Sequence, residues 1–259
     1  MTDWRNLLDD DTVRPTPELI AGLSAALRSA DPVVRDDQAF VLLSRWIPDL
    51  PVETRRSLGA EMAGRFADPE IQARTFAPLI LAGLVRRGDH DPAWAEAFAR
   101  WYPAETDLRG YDAELGWLHA VAHGADLLGA LGRCPRADPV PLLELAAARL
   151  LAPTTHLFDA MEDDRLGVAI ALTLTRPELT EQQAVGWLEP IAAEFAGGRP
   201  GPVPAHVSNT LRTLRALYLL ADRGVRPHPY DGAPLALPHA RAVREAVATV
   251  LAIASPYAG

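Results

Sequence analysis

The feature that most constrains the fold of this chain is the dipeptide Asp-Pro, which recurs before segments with helically spaced apolar residues. It occurs at 31–32, 68–69, 91–92 and 138–139. An Asp side chain accepts hydrogen bonds from the free N–H groups of a first helical turn. Pro at the first helical position has the required φ and lacks an N–H that would go unpaired. Each occurrence therefore predicts the beginning of a helix.

Apolar residues at intervals of three or four continue along most of the chain, as in Phe40, Leu43 and Ile47. No stretch of similar length alternates with a period of two, which is the pattern of a half-buried strand. We therefore predict an all-α protein of about eleven helices. Their predicted ranges are 16–29, 32–47, 52–66, 69–87, 92–101, 112–132, 139–152, 162–175, 180–197, 205–222 and 238–254.

Two segments of the first half resemble each other. The runs SADPVVRDDQAFVLLSRWI and FADPEIQARTFAPLILAGLV share an Asp-Pro start, an Arg soon after it and a long apolar continuation. Their Asp-Pro dipeptides are 37 residues apart, within the range of HEAT and armadillo helix-pair repeats. Later helices lose this register, so we predict one HEAT-like helical-repeat domain (an α-solenoid) over 1–259, with a flexible segment at 1–15 and a long loop at 223–238.

Three residues of these repeats receive structural expectations. Arg35, Asp36 and Arg74 fit the Arg–Asp ladders found within the repeats of helical solenoids, a structural role. Pro78 lies inside the predicted helix 69–87 and is expected to kink or divide it, because Pro removes one helical hydrogen bond.

The composition excludes several kinds of active site. All 25 basic residues are Arg, which excludes a P-loop lysine, a lysine Schiff base and a lysine general base. Cys134 is the only cysteine, so the chain forms no internal disulfide and no cysteine-based zinc site. The G-x-S-x-G motif of serine hydrolases is absent. His, Asp, Glu and Arg remain as the candidate chemical groups.

The charge balance limits the partners. The net charge is −9, with acidic residues scattered along the chain, which disfavours a broad nucleic-acid surface but leaves room for a small basic patch. The segment MTDWRNLLDDDTVRP lacks the cationic start and apolar run of a signal peptide, and no charge-free run of about eighteen apolar residues occurs. We predict a cytoplasmic protein without membrane contact. The sequence does not determine its oligomeric state.

The run GWLHAVAHGAD, residues 116–126, carries the first candidate site. Within the predicted helix 112–132, His119, His123 and Asp126 share one face, opposite an apolar stripe that includes Trp117. Two imidazoles at this spacing can bind one metal ion, and a carboxylate one turn further could be a third ligand. The Glu of H-E-x-x-H is absent, so two alternatives stay open. One is a pocket for an organic or anionic ligand; the other is a row that faces solvent or a neighbouring helix, with the histidines hydrogen-bonded to carboxylates and no ion bound.

The loop before this helix adds three candidate ligand-binding residues, Glu105, Asp107 and Arg109. Arg109 could bind a carboxylate or phosphate of a ligand, or form an internal ion pair with Asp107 or Asp126. The internal pair is favoured because it is the more frequent arrangement.

The run THLFDAMEDDRLG is a second charged cluster. Carboxylates at a helix N-terminus have a sufficient structural role in stabilising the helix dipole. If they faced the His119 row across a groove, Glu162 and Asp163 would be acid/base groups or metal ligands. The cluster contains His156, Asp159, Glu162, Asp163, Asp164 and Arg165. His206 and Asn209 form a weaker third candidate, expected in inter-helix or surface contacts.

The run TDLRGYDAELGWLHAVAHGADLL, with VRDDQAFVLLSRWI and ARTFAPLILAGLV before it and EDDRLGVAI after it, resembles the uncharacterised bacterial family called domain of unknown function 2785. The resemblance extends from about residue 30 to about 220. Its most specific positions are Arg109, Gly110, Gly116, Trp117, His119, His123 and Asp126. The resemblance implies a helical, HEAT-like protein and supplies no activity, cofactor or catalytic residue.

Three functions are compatible with these residues. The leading hypothesis is a binding protein whose concave face carries His119, His123 and Asp126, with Arg109 and Arg165 nearby, and recognises a small polar ligand or a peptide segment. The first alternative is an enzyme of hydrolysis or proton transfer. A divalent metal ion would be bound by that His/Asp row, with Glu162 or Asp163 as acid/base. The second alternative is a scaffold for a partner protein without pocket chemistry.

Overall fold

The computed structural model describes residues 4–10, 12–198, 201–227 and 232–256. Helices dominate this part of the chain, so the all-α prediction is confirmed. Their bounds are α1 Arg5–Leu8, α2 Pro17–Ala26, α3 Val41–Trp46, α4 Val52–Gly64, α5 Ile71–Arg87, α6 Pro92–Trp101, α7 Ala120–Arg133, α8 Pro139–Leu151, α9 Glu162–Thr173, α10 Glu181–Gly186, α11 Glu189–Ala196, α12 Ala205–Arg223 and α13 Ala240–Ala254. A π-helical segment, Val33–Phe40, leads into α3, and short 3₁₀ turns follow α3 and α4.

Parts of two predicted segments lie outside the described residues, namely 1–3 and 11 of the segment 1–15, and 228–231 of the loop 223–238. In the described part of the first segment, Trp4 is buried. In the second, Val225 and Leu235 pair their backbones in an isolated antiparallel bridge.

All four Asp-Pro dipeptides form the expected hydrogen bond. The carboxylates of Asp31, Asp68, Asp91 and Asp138 each accept from the backbone N–H two residues later, at 2.9 to 3.0 Å. Helices α6 and α8 begin at the prolines that follow Asp91 and Asp138. At Asp68 the bonded turn comes first and α5 begins only at Ile71.

Two predicted helices that contain a proline differ from the structure. Helix α5 runs from Ile71 to Arg87 through Pro78, so the predicted division at this residue is wrong. The predicted helix 180–197 is instead two helices, α10 and α11, and Pro190 lies in the first turn of α11. Pro fits there because a first-turn residue needs no N–H partner within the helix.

Helix α7 lies at the centre of the fold, between α5 and α9, and α12 packs against the far side of α9. Nearly all of α7 is buried. Its small residues allow neighbours to approach closely, since a Cβ at Gly124 would lie 2.1 Å from the Tyr102 ring. Within the described helices, none combines the length and apolarity that crossing a bilayer requires.

The predicted helix 112–132 begins only at Ala120. The residues before it form a β-hairpin in which β1, Tyr111–Asp112, pairs antiparallel with β2, Gly116–Trp117. Asp112 Oδ1 accepts from the backbone N–H groups of Glu114 and Leu115, both at 2.9 Å. Such bonds from side chain to backbone compete with helix formation, so Asp112 begins a turn.

Candidate functional site

His119 and Met161 occupy equivalent places, directly before α7 and directly before α9. They are the two described non-glycine residues with positive φ, 49° and 65°. Such left-handed conformations cost roughly 1–3 kcal/mol and are concentrated at functional sites. The His119 backbone is held there because its N–H donates to the carbonyl of Arg109 at 3.1 Å.

The contact between His119 and Glu162 that the sequence left open is present. Glu162 is the first residue of α9, is fully buried, and places Oε1 3.4 Å from His119 Nδ1. Gly110 is needed nearby, since a Cβ there would lie 2.7 Å from Glu162 Oε1. Burial alone would raise the pKa of Glu162, but His119 and the backbone N–H groups of Glu162 and Ala160 outweigh it and lower the pKa. The Glu162 carboxylate is therefore charged at neutral pH.

The loop between α8 and α9 adds His156 and Asp159. His156 Nε2 lies 3.8 Å from Asp159 Oδ1. One ligand atom from each of His156, Asp159 and Glu162 lies within 4.8 Å of the others. We call His119, His156, Asp159 and Glu162 the histidine–carboxylate cluster.

Asn209 of α12 positions this loop. Its Nδ2 donates to the carbonyl of His156 at 3.0 Å, and its Oδ1 accepts from the N–H of Phe158 at 2.9 Å. Asn209 was expected in inter-helix or surface contacts; in the structure it holds the loop that carries His156. His206 instead lies 3.0 Å from Glu194.

Trp117 and His123 exchange their predicted environments. Trp117, expected in the buried stripe, is 46% exposed and stacks on the His119 ring at 4.5 Å between centroids. The prediction is wrong because Trp117 belongs to β2 and not to a helix. His123, expected on the polar face, is buried and packs edge-on against Phe76. Its Nδ1 donates to the carbonyl of Thr75 at 3.0 Å, and burial lowers its pKa to about 3.

The predicted metal ligands His119, His123 and Asp126 do not form a close group of ligand atoms among the described residues, although the rings of His119 and His123 are 5.5 Å apart between centroids. His123 turns toward Thr75, and Asp126 pairs with Arg165 of α9, whose Nε lies 3.1 Å from Asp126 Oδ1. Among the described residues, the close group of ligand atoms is the one at His156, Asp159 and Glu162. His119 lies directly before α7 and not within it, because the residues before it form a hairpin.

Glu105, from the loop before the hairpin, is engaged inside the protein. It is buried and accepts from Arg74 Nε at 2.6 Å and from Trp101 Nε1 at 2.8 Å. It also accepts from the backbone N–H groups of Thr106 and Asp107, both at 3.0 Å. These bonds give Glu105 a structural role.

Arg109 forms the internal ion pair that the sequence favoured. Its guanidinium lies 2.6 Å from Asp107 and 2.5 Å from Asp112. In the second charged cluster, Asp163 pairs with Arg212 of α12 at 2.6 Å. These ion pairs hold the hairpin together and connect α9 to α12.

A cleft of about 1170 Å³ lies along α7, α9 and α12. We call it the arginine-lined cleft, because Arg86, Arg165, Arg223 and Arg226 line it and Asp126 is the one acidic residue among its described lining residues. Most of its other lining residues are apolar, among them Val168, Leu172, Leu219, Leu220, Val225, Pro227 and Pro234. A smaller cleft beside it shares Arg86 and adds Arg133 and Arg136.

Most of this fold matches a known protein family. The family model described as "Protein of unknown function (DUF2785)" matches residues 62–219, which is more than half of the chain. The chain belongs to this family. No curated protein and no solved structure matches this chain. In this DUF2785 protein the histidine–carboxylate cluster lies wholly inside the matched range, whereas Arg223 and Arg226 lie beyond it.

Proposed function

We propose that this DUF2785 protein binds an amphipathic organic anion, a carboxylate or phosphate joined to an apolar body, in the arginine-lined cleft. The observation that carries the proposal concerns Arg86 and Arg223. Both line the cleft, and neither forms an ion pair or a side-chain hydrogen bond with any described residue. Their guanidinium groups are available to a ligand.

The local charge supports an anionic ligand. Four Arg side chains face one Asp in this cleft, while the whole chain has a net charge of −9. Arg165 is already paired with Asp126, and Arg226 donates to the carbonyl of Gly232 at 2.6 Å. The planar fork of an Arg guanidinium matches carboxylate and phosphate oxygens in pairs, so Arg86 and Arg223 suit an anionic head group.

The size and walls of the cleft support an apolar body on that anion. Ligand pockets typically have volumes of roughly 300–1000 Å³, and this cleft is about 1170 Å³. Burying an apolar ligand surface against Val168, Leu172 and Leu219 would contribute about 25 cal/mol per Å². A bare inorganic anion would leave these walls in contact with water.

The proposed binding site shares two residues with the groove expected from the sequence but lies in a different place. Asp126 and Arg165 line the cleft, but His119 and His123 are not among its lining residues. The sequence led us to expect a small polar ligand. We propose an amphipathic ligand instead, because apolar side chains form most of the cleft wall.

We also propose the HEAT-like arrangement and the cytoplasmic location expected from the sequence. The repeat is supported by Arg35 and Arg74, since each donates from Nη1 to a carbonyl six residues earlier, Ser29 at 3.0 Å and Asp68 at 2.8 Å. Arg35 also pairs with Asp36 at 2.6 Å, as a ladder requires, whereas Arg74 pairs with Glu105.

The test is calorimetric titration of the full chain with decyl phosphate and with decanoate, using inorganic phosphate and decanol as partial ligands. We expect one equivalent of each anion to bind more tightly than either partial ligand. The double variant Arg86→Gln, Arg223→Gln should weaken binding at least about tenfold, because each hydrogen bond to a charged group is worth roughly 1.5–3 kcal/mol.

Arg215→Gln is the matched control, because Arg215 is exposed on α12 like Arg223 but does not line the cleft. It should bind both anions as the unmodified protein does. The proposal fails if neither anion binds, or if the control loses as much affinity as the double variant.

A further inference from the structure

A second site, with different chemistry, lies where α7 and α9 begin. We propose that the histidine–carboxylate cluster binds one divalent first-row transition-metal ion, for which Zn²⁺ is the reference. Three ligands are His156, Asp159 and Glu162, whose ligand atoms lie within 4.8 Å of one another. His119, whose Nδ1 lies 3.4 Å from Glu162 Oε1, would complete the site by turning toward the other two. This inference does not depend on anion binding in the arginine-lined cleft.

Three buried polar atoms of the cluster have only ion-pair contacts within the cluster, at 3.4 and 3.8 Å. His119 Nδ1, His156 Nε2 and Glu162 Oε1 form no hydrogen bond. An unsatisfied buried polar atom costs about 1–3 kcal/mol, and in folded proteins such an atom is often paired with an ion or an ordered water. A cation bound by Glu162 and His156 would satisfy two of these atoms directly, and His119 lies beside Glu162.

Glu162 points most directly to a ligand. Its side chain is 0% exposed, yet Oε1 has no hydrogen-bond partner and faces His119. Its other oxygen, Oε2, accepts from the N–H of Ala160 at 2.9 Å. A buried carboxylate fixed through one oxygen, with the other oxygen free of hydrogen bonds and facing an imidazole, is oriented as metal ligands are.

Two of the ligand-to-ligand distances are close to those around a tetrahedral ion. Ligand atoms bound at 2.0–2.2 Å from Zn²⁺ lie about 3.4 Å from each other. His119 Nδ1 and Glu162 Oε1 are 3.4 Å apart, and His156 Nε2 and Asp159 Oδ1 are 3.8 Å apart. The atoms of His156, Asp159 and Glu162 lie within 4.8 Å of one another. Asp159 can close the site, because its side chain is 76% exposed.

The donor set selects the kind of metal. Two imidazole nitrogens with two carboxylate oxygens suit Zn²⁺ and its transition-metal neighbours, whereas Mg²⁺ and Ca²⁺ prefer oxygen ligands alone. The two carboxylates also balance the charge of a divalent ion. Trp117, stacked on His119, and Asn209, bonded to the backbone of His156 and Phe158, support the two imidazole ligands.

The two sites are neighbours along α9, since Arg165 of the arginine-lined cleft follows Glu162 by three residues. Neither site contains a residue of the other. Metal binding therefore needs no anion, and the two proposals can fail separately.

The experiment uses the full chain after removal of metals with a chelator. Titration with Zn²⁺ should show one equivalent bound, and Co²⁺ should give the visible absorption of a tetrahedral complex that Zn²⁺ displaces and excess Mg²⁺ does not. Asp159→Asn and His156→Gln should each weaken Zn²⁺ binding roughly 100-fold, the upper range for loss of groups that support a metal site. His119→Asn should do the same, and Asn tolerates the left-handed backbone at this position.

Two control variants carry the same chemical changes outside the cluster. Asp164→Asn alters an exposed carboxylate in the first turn of α9, and His206→Gln alters the His206–Glu194 pair. Both should bind Zn²⁺ as the unmodified protein does. Because the Asp159 side chain is exposed, Asp159→Asn should keep its unfolding curve. Absence of one-to-one binding, or equal weakening in the controls, would overturn the proposal.

Discussion

Glu105 and Glu162 are both buried carboxylates, and their surroundings give them different roles. Glu105 accepts hydrogen bonds from Arg74, Trp101 and two backbone N–H groups. Glu162 is paired through one oxygen only, and the other faces His119 without a hydrogen bond. The first carboxylate stabilises the fold, and the second is a candidate ligand. No local pattern separates them, since the side chains that decide their roles, Arg74 and His119, come from distant parts of the chain.

The pH dependence of stability tests the role of Glu105. Burial acts to raise its pKa, but hydrogen bonds from Arg74, the backbone and Trp101 outweigh it, so the pKa is lowered from its ordinary value of 4.5. The folded state therefore binds this proton less readily than the unfolded state does. The stabilisation is fully present above about pH 4.5 and is lost as the pH falls through the lowered pKa.

We expect Glu105→Gln to lower the free energy of unfolding at pH 7 by roughly 2–4 kcal/mol, because the Arg74 side chain, only 18% exposed, is left without its charge partner. This deficit should shrink below pH 4.5, as the unmodified protein loses the same interaction. Urea unfolding at pH 7.0, 4.5 and 3.5 measures both effects. Glu53→Gln, at a carboxylate that is 83% exposed, should change little at any pH. A deficit for Glu105→Gln that stays constant with pH would contradict this role.

Helices α6 and α8 begin at the residues that their local start signals predicted. Asp91 and Asp138 act on N–H groups two residues away, so a short stretch of sequence contains the whole interaction. The hairpin before α7 was missed although its signal is equally local. Asp112 bonds to the backbone of Glu114 and Leu115, but the helical spacing of later residues was extended backward over it. His119 was therefore placed inside a helix that begins one residue later.

A glycine of α7 offers a test of how closely the helices pack. A Cβ at Gly124 would lie 2.1 Å from a carbon of the Tyr102 ring, which is itself fully buried. Tyr102 cannot move freely, because its hydroxyl donates to the carbonyl of Val121 at 2.7 Å. We expect Gly124→Ala to lower the free energy of unfolding by about 1–3 kcal/mol, the usual cost of overpacking.

Gly64→Ala is the matched helical control, because nothing lies within 4 Å of a Cβ at Gly64. It should leave stability unchanged or raise it by up to about 1 kcal/mol, since Ala favours helix over Gly. Chemical unfolding of both variants measures the difference. Equal effects of the two substitutions would show that α7 is less tightly packed than described.

The whole molecule places both candidate sites around α9. The first residue of α9, Glu162, lies beside His119, which directly precedes α7, and beside the loop that carries His156. The next turn of α9 contributes Arg165 to the arginine-lined cleft. The sequence predicted the helical class, and its candidate segments contain all four residues of the histidine–carboxylate cluster. It could not predict which of them meet, because the contacts join segments far apart in the chain. Arg86 and Arg223 were not predicted as site residues, since an isolated Arg on a helix has no distinctive pattern.

The most direct test of the proposed function is a crystal structure of the protein with decyl phosphate. We predict the phosphate within about 2.7–3.2 Å of guanidinium nitrogens of Arg86 and Arg223, with the alkyl chain along Val168, Leu172 and Leu219. A saturated crystal in which the arginine-lined cleft holds only solvent, or in which the phosphate binds elsewhere, would contradict the proposed function.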